Sequence, residues 1–338
     1  MTSFTALLVG AGGMGQTWAR NLHAHPDVRI GGWVDVRPHA AAQAATELEL
    51  PPLHADTDFA RALQAVGPDF VVDVTIPEAH HDVTLAALAA GLPVLGEKPM
   101  AASMVQARAM VAAAERANKL YMVSQSRRYD GRLQAFRQLI ERTTGPLGLL
   151  NSDFYIGAHF GGFRDHMASP LLLDMAIHTF DAARFLCAAD PVAVYCEEFN
   201  PSWSWYTGGA CANAIFEMSG GLRYTYRGSW CAEGVPTSWE GEWRAVGPHG
   251  TATWNGQTAP SAEVVTERGG FVSTVAPASV EVAQIHGGIA GSLRDFLHAL
   301  ETGATPMGAC HDNIKSLSMV FAAIESARSG RRVLVSEL

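Results

Sequence analysis

The chain has 338 residues, of which 48% are hydrophobic and 17% are charged, a composition typical of a globular protein with room for two domains. Its formal net charge of −9 argues against nucleic acid as a partner, because phosphate binding requires a basic surface. No apolar run is long enough to span a bilayer, and the first predicted strand begins at Phe4, so we expect no membrane segment, no signal peptide and a cytoplasmic location.

A glycine-rich segment separates the first predicted strand from the first predicted helix. Phe4–Val9 is a short apolar run, and residues 14–25 carry helical spacing. Gly10-Ala11-Gly12-Gly13-Met14-Gly15 therefore lies at a strand-to-helix turn, the context in which G-x-G-x-x-G binds a dinucleotide. Gly10 permits the tight turn, Gly12 lets the backbone approach a pyrophosphate, and Gly15 lets the helix pack close to the strand. The N–H groups at the helix start favour the phosphate charge.

The second predicted strand, residues 28–36, carries an acidic residue that bears on the choice of cofactor. Asp35 can accept hydrogen bonds from both hydroxyls of an adenosine ribose and would repel a 2′-phosphate, which favours NAD over NADP. Arg37 keeps NADP open as the alternative, because a guanidinium just beyond the strand could pair with a 2′-phosphate. We therefore predict NAD as the cofactor, with NADP possible.

Strands and helices keep alternating up to residue 124. We predict helices that end at Val66, with Asp56 or Thr57 as the cap, and at 78–90 and 103–118, and strands at 70–75, 93–96 and 120–124. Such alternation makes a doubly wound parallel sheet, whose ligands bind at the carboxyl ends of the strands. Thr75-Ile76-Pro77 and Glu97-Lys98-Pro99 fall at two such ends, so Lys98 should lie near the nicotinamide. The predicted cofactor-binding residues are Gly10, Gly12, Gly13, Met14, Gly15, Asp35, Arg37, Thr75, Ile76, Pro77, His80, Glu97 and Lys98.

The second half of the chain is predicted to contain mainly strands, together with one helix that carries candidate functional residues. Strands are predicted at 149–156, 210–218, 222–230, 241–246 and 251–254. Its aromatic side chains could stack on a sugar ring, but we expect most of them to fill the core of the sheet or a subunit interface; they are Trp203, Trp205, Tyr206, Trp230, Trp239 and Trp243. Residues 171–186 are predicted as a helix that places Asp174 and His178 on one face, and we expect Asp181 to be structural.

The chain resembles the glucose–fructose oxidoreductase / inositol dehydrogenase / MocA family of nicotinamide enzymes over nearly its whole length. The resemblance is carried by the glycine turn, the Thr75–Pro77 turn with His80, Glu97-Lys98-Pro99, Arg128, Gly148, Asp174 with His178, and a closing helix in 312–331. It implies an α/β protein with an N-terminal Rossmann domain at 1–122 and a C-terminal α/β domain at 123–338. The second domain would contain a large, open, mainly antiparallel sheet through which a homodimer or homotetramer assembles.

Two departures from the family pattern lie near the predicted catalytic helix. Pro170 stands where the family often has glycine four residues before the aspartate, and Ala176 stands where it often has glycine two residues before the histidine. Both could alter how closely a substrate approaches, but neither removes a titratable group.

The predicted catalytic residues are Lys98, Asp174 and His178, a set that the resemblance supports. Hydride transfer from a carbinol needs a base for the hydroxyl proton, and His178 suits that role because its intrinsic pKa lies near neutrality. Asp174 could bind a substrate hydroxyl and orient His178, while Lys98 would stabilise the oxygen that becomes anionic. How Lys98 and His178 divide the proton transfer stays open. The alternatives are a surface helix pair for Asp174 and His178, and a surface lysine for Lys98.

The predicted substrate-binding residues are Lys98, Arg128, Tyr155, Arg164, Asp174 and His178. Arg164 lies in a glycine-broken loop at 160–166 that we expect to contact the substrate. Arg128 follows the strand that leaves the Rossmann domain, and an arginine there could bind hydroxyls or a carboxylate, so a sugar acid is possible. We expect no metal site, because the histidines lack ligand spacing and the five cysteines are scattered without a C-x-x-C pair.

The resulting prediction is an NAD(P)-dependent oxidoreductase that acts on a secondary alcohol or ketone of a sugar, inositol or related polyol. Two alternatives stay open. One is an NAD-dependent glycosidase that oxidises its substrate transiently, and the other is a non-catalytic regulator that binds sugar or NAD on the same fold. The sequence does not identify the sugar.

Overall fold

The computed structural model describes residues 4–338, which divide into two compact units. The first unit contains the residues up to Ser126 together with Gly288–Ile314, and the second contains Arg127–Gly287 and Lys315–Leu338. A single boundary at 122/123 does not describe these two units, because the chain returns to the first unit at Gly288. No helix within residues 4–338 is both long enough and apolar enough to cross a membrane.

Strands and helices occupy most of the described chain. In chain order the strands are β1 (Phe4–Val9), β2 (Val28–Val34), β3 (His54–Asp56), β4 (Phe70–Asp73), β5 (Val94–Gly96), β6 (Tyr121–Val123), β7 (Leu149–Tyr155), β8 (Pro191–Phe199), β9 (Cys211–Met218), β10 (Arg223–Ser229), β11 (Glu242–Gly247), β12 (Gly250–Trp254), β13 (Ser261–Glu267), β14 (Thr274–Ser279) and β15 (Val333–Leu334). The α-helices are α1 (Gly13–Ala24), α2 (Ala40–Glu47), α3 (Phe59–Val66), α4 (Pro77–Ala89), α5 (Met104–Ala117), α6 (Gly131–Thr143), α7 (Ile177–Cys187), α8 (Gly288–Thr302) and α9 (Cys310–Ser329).

The first unit is built on a parallel six-stranded sheet in the order β3-β2-β1-β4-β5-β6. The central strands read as continuous apolar runs because both faces of the sheet are covered; every residue of β4 is buried. This strand order is that of a doubly wound dinucleotide-binding sheet, so the predicted Rossmann fold is confirmed.

The first unit differs from the prediction in the cap of α3, and it contains a helix, α8, that was not predicted. The cap of α3 is Asp58, whose side chain accepts a hydrogen bond from the Arg61 N–H, whereas Asp56 ends β3 and pairs with the Arg61 guanidinium. The returning helix α8 packs on the sheet through Phe296, whose ring lies 5.3 Å from that of Phe70 between centroids.

The second unit contains a nine-stranded sheet in the order β14-β13-β12-β11-β7-β10-β9-β8-β15. Among the described strands of this nine-stranded sheet, only the central pair β7 and β10 is parallel, so the predicted mainly antiparallel sheet is confirmed. The predicted meander omitted β8, β13, β14 and β15. The edge strand β14 contains Pro277, which a strand tolerates at a sheet edge but which weakens its sequence pattern.

The nine-stranded sheet is covered by helices on one face. Phe180 of α7 lies 4.9 Å from Phe216 of β9 and 5.2 Å from Tyr226 of β10 between ring centroids. On the opposite face, side chains such as Tyr195 and Ile215 are about half exposed in the single chain, at 50% and 51%. The open face matches the predicted open sheet, and assembly of a dimer or tetramer through it stays a prediction.

The helix predicted at 171–186 has two parts. Leu171–Ala176 forms a π-helix, and α7 continues from Ile177. A π-helix has wider turns than an α-helix, and such segments occur frequently at functional sites. Asp174 lies in the π-helical part and His178 in the first turn of α7.

Candidate active site

The glycine turn of the first unit has a shape that only glycine permits. Gly10 adopts a φ of 101°, and a Cβ on it would lie 2.5 Å from the carbonyl oxygen of Val74. A Cβ on Gly15 would lie 2.0 Å from the carbonyl oxygen of Gly10, so the close packing of α1 on β1 requires a bare Cα. Around Gly12 and Gly13, by contrast, an added Cβ would meet nothing within 4 Å. The N-terminus of α1 therefore opens onto free space that suits a pyrophosphate.

Asp35 is anchored to this turn. Its Oδ2 accepts the Ala11 N–H at 2.7 Å, and its two oxygens accept the Nε and Nη2 groups of Arg37 at 2.9 and 3.0 Å. Burial alone would raise the pKa of Asp35, but the Arg37 guanidinium and the Ala11 amide hold it below its usual range, so the carboxylate is ionised. The two residues that indicate NAD and NADP thus form one ion pair, with Arg37 as its exposed member.

A buried network lies behind the turn that follows β4. Asp73 is fully buried; its Oδ1 accepts the Thr75 hydroxyl at 2.6 Å, and its Oδ2 lies 3.1 Å from His80 Nδ1. His80 is only 2% exposed, so the structure places this predicted cofactor contact inside the protein, where it holds the turn from within. The exposed member of the turn is Ile76, at 64%. A polar residue at the end of the apolar run of β4 was the available signal for Asp73, which the sequence analysis missed.

Glu97 fixes the backbone at Lys98. Glu97 Oε1 accepts the Trp18 indole N–H at 2.7 Å, and Oε2 accepts the Lys98 backbone N–H at 3.0 Å. Burial raises the pKa of Glu97. Lys98 itself is half-buried at the carboxyl end of β5, which argues against a freely solvated surface lysine. Trp18, on the buried side of α1, is a partner that helical spacing alone did not reveal.

Asp174 and His178 emerge together from an otherwise buried helical segment of the second unit. Both are partly exposed, whereas the residues between them, 175–177, and the two that follow His178 are buried. The two side chains therefore share the accessible side of the segment, as the predicted helix face required. Asp174 Oδ2 accepts the Arg164 Nε–H at 2.5 Å, so the structure brings two predicted substrate-binding residues together.

Two other predicted substrate-binding residues lie elsewhere. Arg128 is 5% exposed, and its Nε and Nη2 groups donate to the two carboxylate oxygens of Asp181 at 2.7 and 2.6 Å. This buried bidentate ion pair gives Arg128 a structural role, as we expected for Asp181, and we remove Arg128 from the proposed substrate set. Tyr155 lies on the open face of the sheet, since its neighbour Phe154 faces the helices and is fully buried. We remove Tyr155 as well.

Within residues 4–338, no group of three or more His, Cys, Asp or Glu side chains is arranged to hold a metal ion.

Comparison with known proteins gives consistent results for both halves of the chain. A family model described as "Oxidoreductase family, NAD-binding Rossmann fold" matches residues 4–125, and one described as "GFO/IDH/MocA C-terminal domain" matches residues 135–253. A D-apiose dehydrogenase of Paraburkholderia graminis is 27% identical over 99% of this chain and 90% of that protein. An inositol 2-dehydrogenase of Streptomyces avermitilis is 32% identical over 55% of this chain and 54% of that protein.

The fold also matches solved structures. An oxidoreductase from Agrobacterium radiobacter, crystallised with NAD+, L-tartaric acid and magnesium, superimposes with a TM-score of 0.86 over 99% of both chains at 22% identity. The glycine turn and the sheet order define a dinucleotide-binding fold, and the family match shows an NAD-binding oxidoreductase, in agreement with the predicted NAD-binding domain and class of enzyme. The chain belongs to the Gfo/Idh/MocA family.

Proposed function

We propose that this protein is an NAD-dependent dehydrogenase that acts on a secondary alcohol or ketone of a sugar, inositol or related polyol. The observation that carries the proposal is the position of Lys98, which Glu97 holds at the carboxyl end of β5 in the unit with the dinucleotide fold. The names of relatives, D-apiose dehydrogenase and inositol 2-dehydrogenase, support a polyol substrate. NAD is favoured over NADP because Asp35 would repel a 2′-phosphate and already occupies Arg37.

The proposed roles of the residues follow from their chemistry. Bound NAD supplies the hydride acceptor, or the hydride donor in the reverse direction. Gly12 and Gly13 leave room for its pyrophosphate at the start of α1, and Asp35 would bind the adenosine ribose. His178 takes the hydroxyl proton, and Asp174 positions a substrate hydroxyl. Lys98 carries positive charge that stabilises the developing oxyanion. Arg164 is retained as a substrate-binding residue beside Asp174.

Three other predictions belong to this proposal. The cofactor binds to the predicted domain 1–122, and the predicted domain 123–338 binds the substrate. The protein assembles as a homodimer or homotetramer through the open sheet, and it works in the cytoplasm. Neither a regulator nor a transient-redox glycosidase is favoured by a specific observation, but the same assay separates them from the dehydrogenase.

The test is to follow NADH formation with NAD+, and NADPH formation with NADP+, against inositols, aldoses, apiose, sugar acids and a glycoside. Lys98→Met and His178→Ala variants are the controls, and cofactor fluorescence verifies that they still bind NAD. Turnover of one polyol class that both variants abolish is the expected result. A protein that binds NAD but turns over no polyol would contradict the proposal, and cleavage of a glycoside without net NADH formation would point to the glycosidase.

A further inference from the structure

A short loop beside Asp174 places a cation close to two exposed aromatic rings. The guanidinium of Arg164 lies 5.1 Å from the ring centroid of Phe160 and 4.7 Å from that of Phe163. Phe160 is 49% exposed and Phe163 is 66% exposed, although large aromatic side chains are normally buried. The loop is fixed at its base, because the Ala158 carbonyl accepts the Tyr206 hydroxyl at 2.5 Å. Phe160 also packs against Trp230, with 5.3 Å between ring centroids.

The guanidinium of Arg164 is only partly used by the protein. Its Nε donates to Asp174, and within residues 4–338 its two Nη groups donate no hydrogen bond. An arginine has five N–H donors in a planar fork, so four of them are available at Nη1 and Nη2. We call this pair of groups the Arg164 fork. The side chain is 32% exposed, which leaves the fork accessible to a ligand.

The chemistry of the fork selects an anionic partner. Two Nη groups in one plane match the two oxygens of a carboxylate, a charge-assisted geometry that binds more strongly than contacts to neutral hydroxyls. The flanking rings reduce hydration of the guanidinium, which strengthens its attraction to an anion. Phe160 is half exposed, and aromatic side chains suit contact with the apolar C–H groups of a sugar ring. Asp174, through its contact with Arg164, connects this surface to the proposed catalytic residues.

We propose that the substrate is a sugar acid whose carboxylate binds end-on to the Arg164 fork while its ring lies against Phe160. This inference rests on the proposed function and narrows its substrate class. Because Asp174 accepts from the Nε group of Arg164, Arg164 can bind Asp174 and the substrate carboxylate at the same time. Asp174 then holds the Arg164 side chain in place, and the fork binds the carboxylate.

The test is equilibrium binding to the enzyme loaded with NADH, by calorimetry, using pairs that differ only in the acid group. Glucuronate is compared with glucose, and galacturonate with galactose. In the wild type at least one acid binds about 10-fold or more tighter than its neutral partner, because hydrogen bonds to charged groups are the stronger ones. Arg164→Gln weakens binding of the acid by about 10- to 100-fold and changes binding of the neutral sugar much less.

Two further variants keep the result interpretable. Arg164→Lys retains the charge but not the fork and should give an intermediate loss for the acid. Arg328→Gln removes an arginine from an exposed pair with Glu325 on α9 and should change neither affinity. Thermal denaturation of each variant verifies that it is folded.

The outcomes separate this inference from the proposed function. Equal binding of acid and neutral sugar, or an equal loss of both in Arg164→Gln, overturns the inference. Selective binding of the acid through Arg164 without NADH formation from NAD+ leaves the inference standing and contradicts the dehydrogenase. Turnover of neutral polyols without preference for acids overturns the inference and supports the dehydrogenase.

Discussion

Removal of the Asp181 carboxylate should destabilise the second unit strongly, because it deletes a buried acceptor of two charge-assisted hydrogen bonds from the Arg128 guanidinium. Asp181 accepts two charge-assisted bonds from Arg128 and a third from the Ser316 hydroxyl at 2.7 Å, and the two charged side chains are 7% and 2% exposed. Breaking one partner of such a buried pair costs about 3–5 kcal/mol. We therefore expect Asp181→Ala to lower the free energy of unfolding by about 3–5 kcal/mol.

The double variant Arg128→Met, Asp181→Leu removes both charges and should recover most of that loss, since a well-packed apolar pair can replace a buried ion pair. Urea denaturation followed by circular dichroism measures both changes, and the cycle with Arg128→Met and Asp181→Leu as the single variants gives the coupling energy. Once a substrate is known, its KM should change little in the double variant. A large rise in KM at unchanged stability would refute the structural role of Arg128 and return it to the substrate site.

Three further predictions concern the cofactor site and the pH dependence of stability. Gly15→Ala should lower the free energy of unfolding by about 3 kcal/mol and weaken NAD binding, because the added Cβ overlaps the Gly10 carbonyl. Gly13→Ala, whose Cβ enters open space, should preserve the fold. Thermal denaturation measures the stability of each variant, and fluorescence titration measures its NAD binding. Asp35→Ser should raise the NADP+ to NAD+ ratio of kcat/KM about tenfold or more, because it removes the repulsion of a 2′-phosphate; an unchanged ratio would contradict this. Burial raises the pKa of Glu198 from 4.5 to about 7, so this carboxyl keeps its proton to higher pH in the folded state than in the unfolded state. The free energy of unfolding should therefore fall as pH rises from about 4.5 to about 7. Glu198→Gln should flatten this fall in urea denaturation, and the same pH dependence in the variant and the wild type would contradict the prediction.

The sequence predicted most reliably the features that are determined within a few residues. The glycine turn is one example, because Gly10 and Gly15 meet across a single strand–helix junction and the steric requirement for glycine is local. The alternation of strands and helices up to residue 124 is another, because buried parallel strands produce continuous apolar runs that are easy to recognise.

Features that depend on contacts between different elements, or on packing, were not predicted. Arg128 pairs with a residue 53 positions away, and no spacing pattern distinguishes that pair from a substrate contact. The position of His80 behind its turn depends on Asp73, which belongs to another element. The π-helix at Leu171–Ala176 shares the apolar spacing of an α-helix, so only packing decides between the two.

The most direct test of the central claim is whether deuterium moves from a carbon-bound position of a sugar-like substrate to the nicotinamide. The wild-type enzyme is incubated with NAD+ and deuterated polyols, and the NADH formed is analysed by mass spectrometry. The proposed function predicts deuterated NADH with one substrate class, and none from the Lys98→Met and His178→Ala variants. NAD binding without deuterium transfer from any polyol or sugar acid would contradict the assignment of this protein as a polyol dehydrogenase.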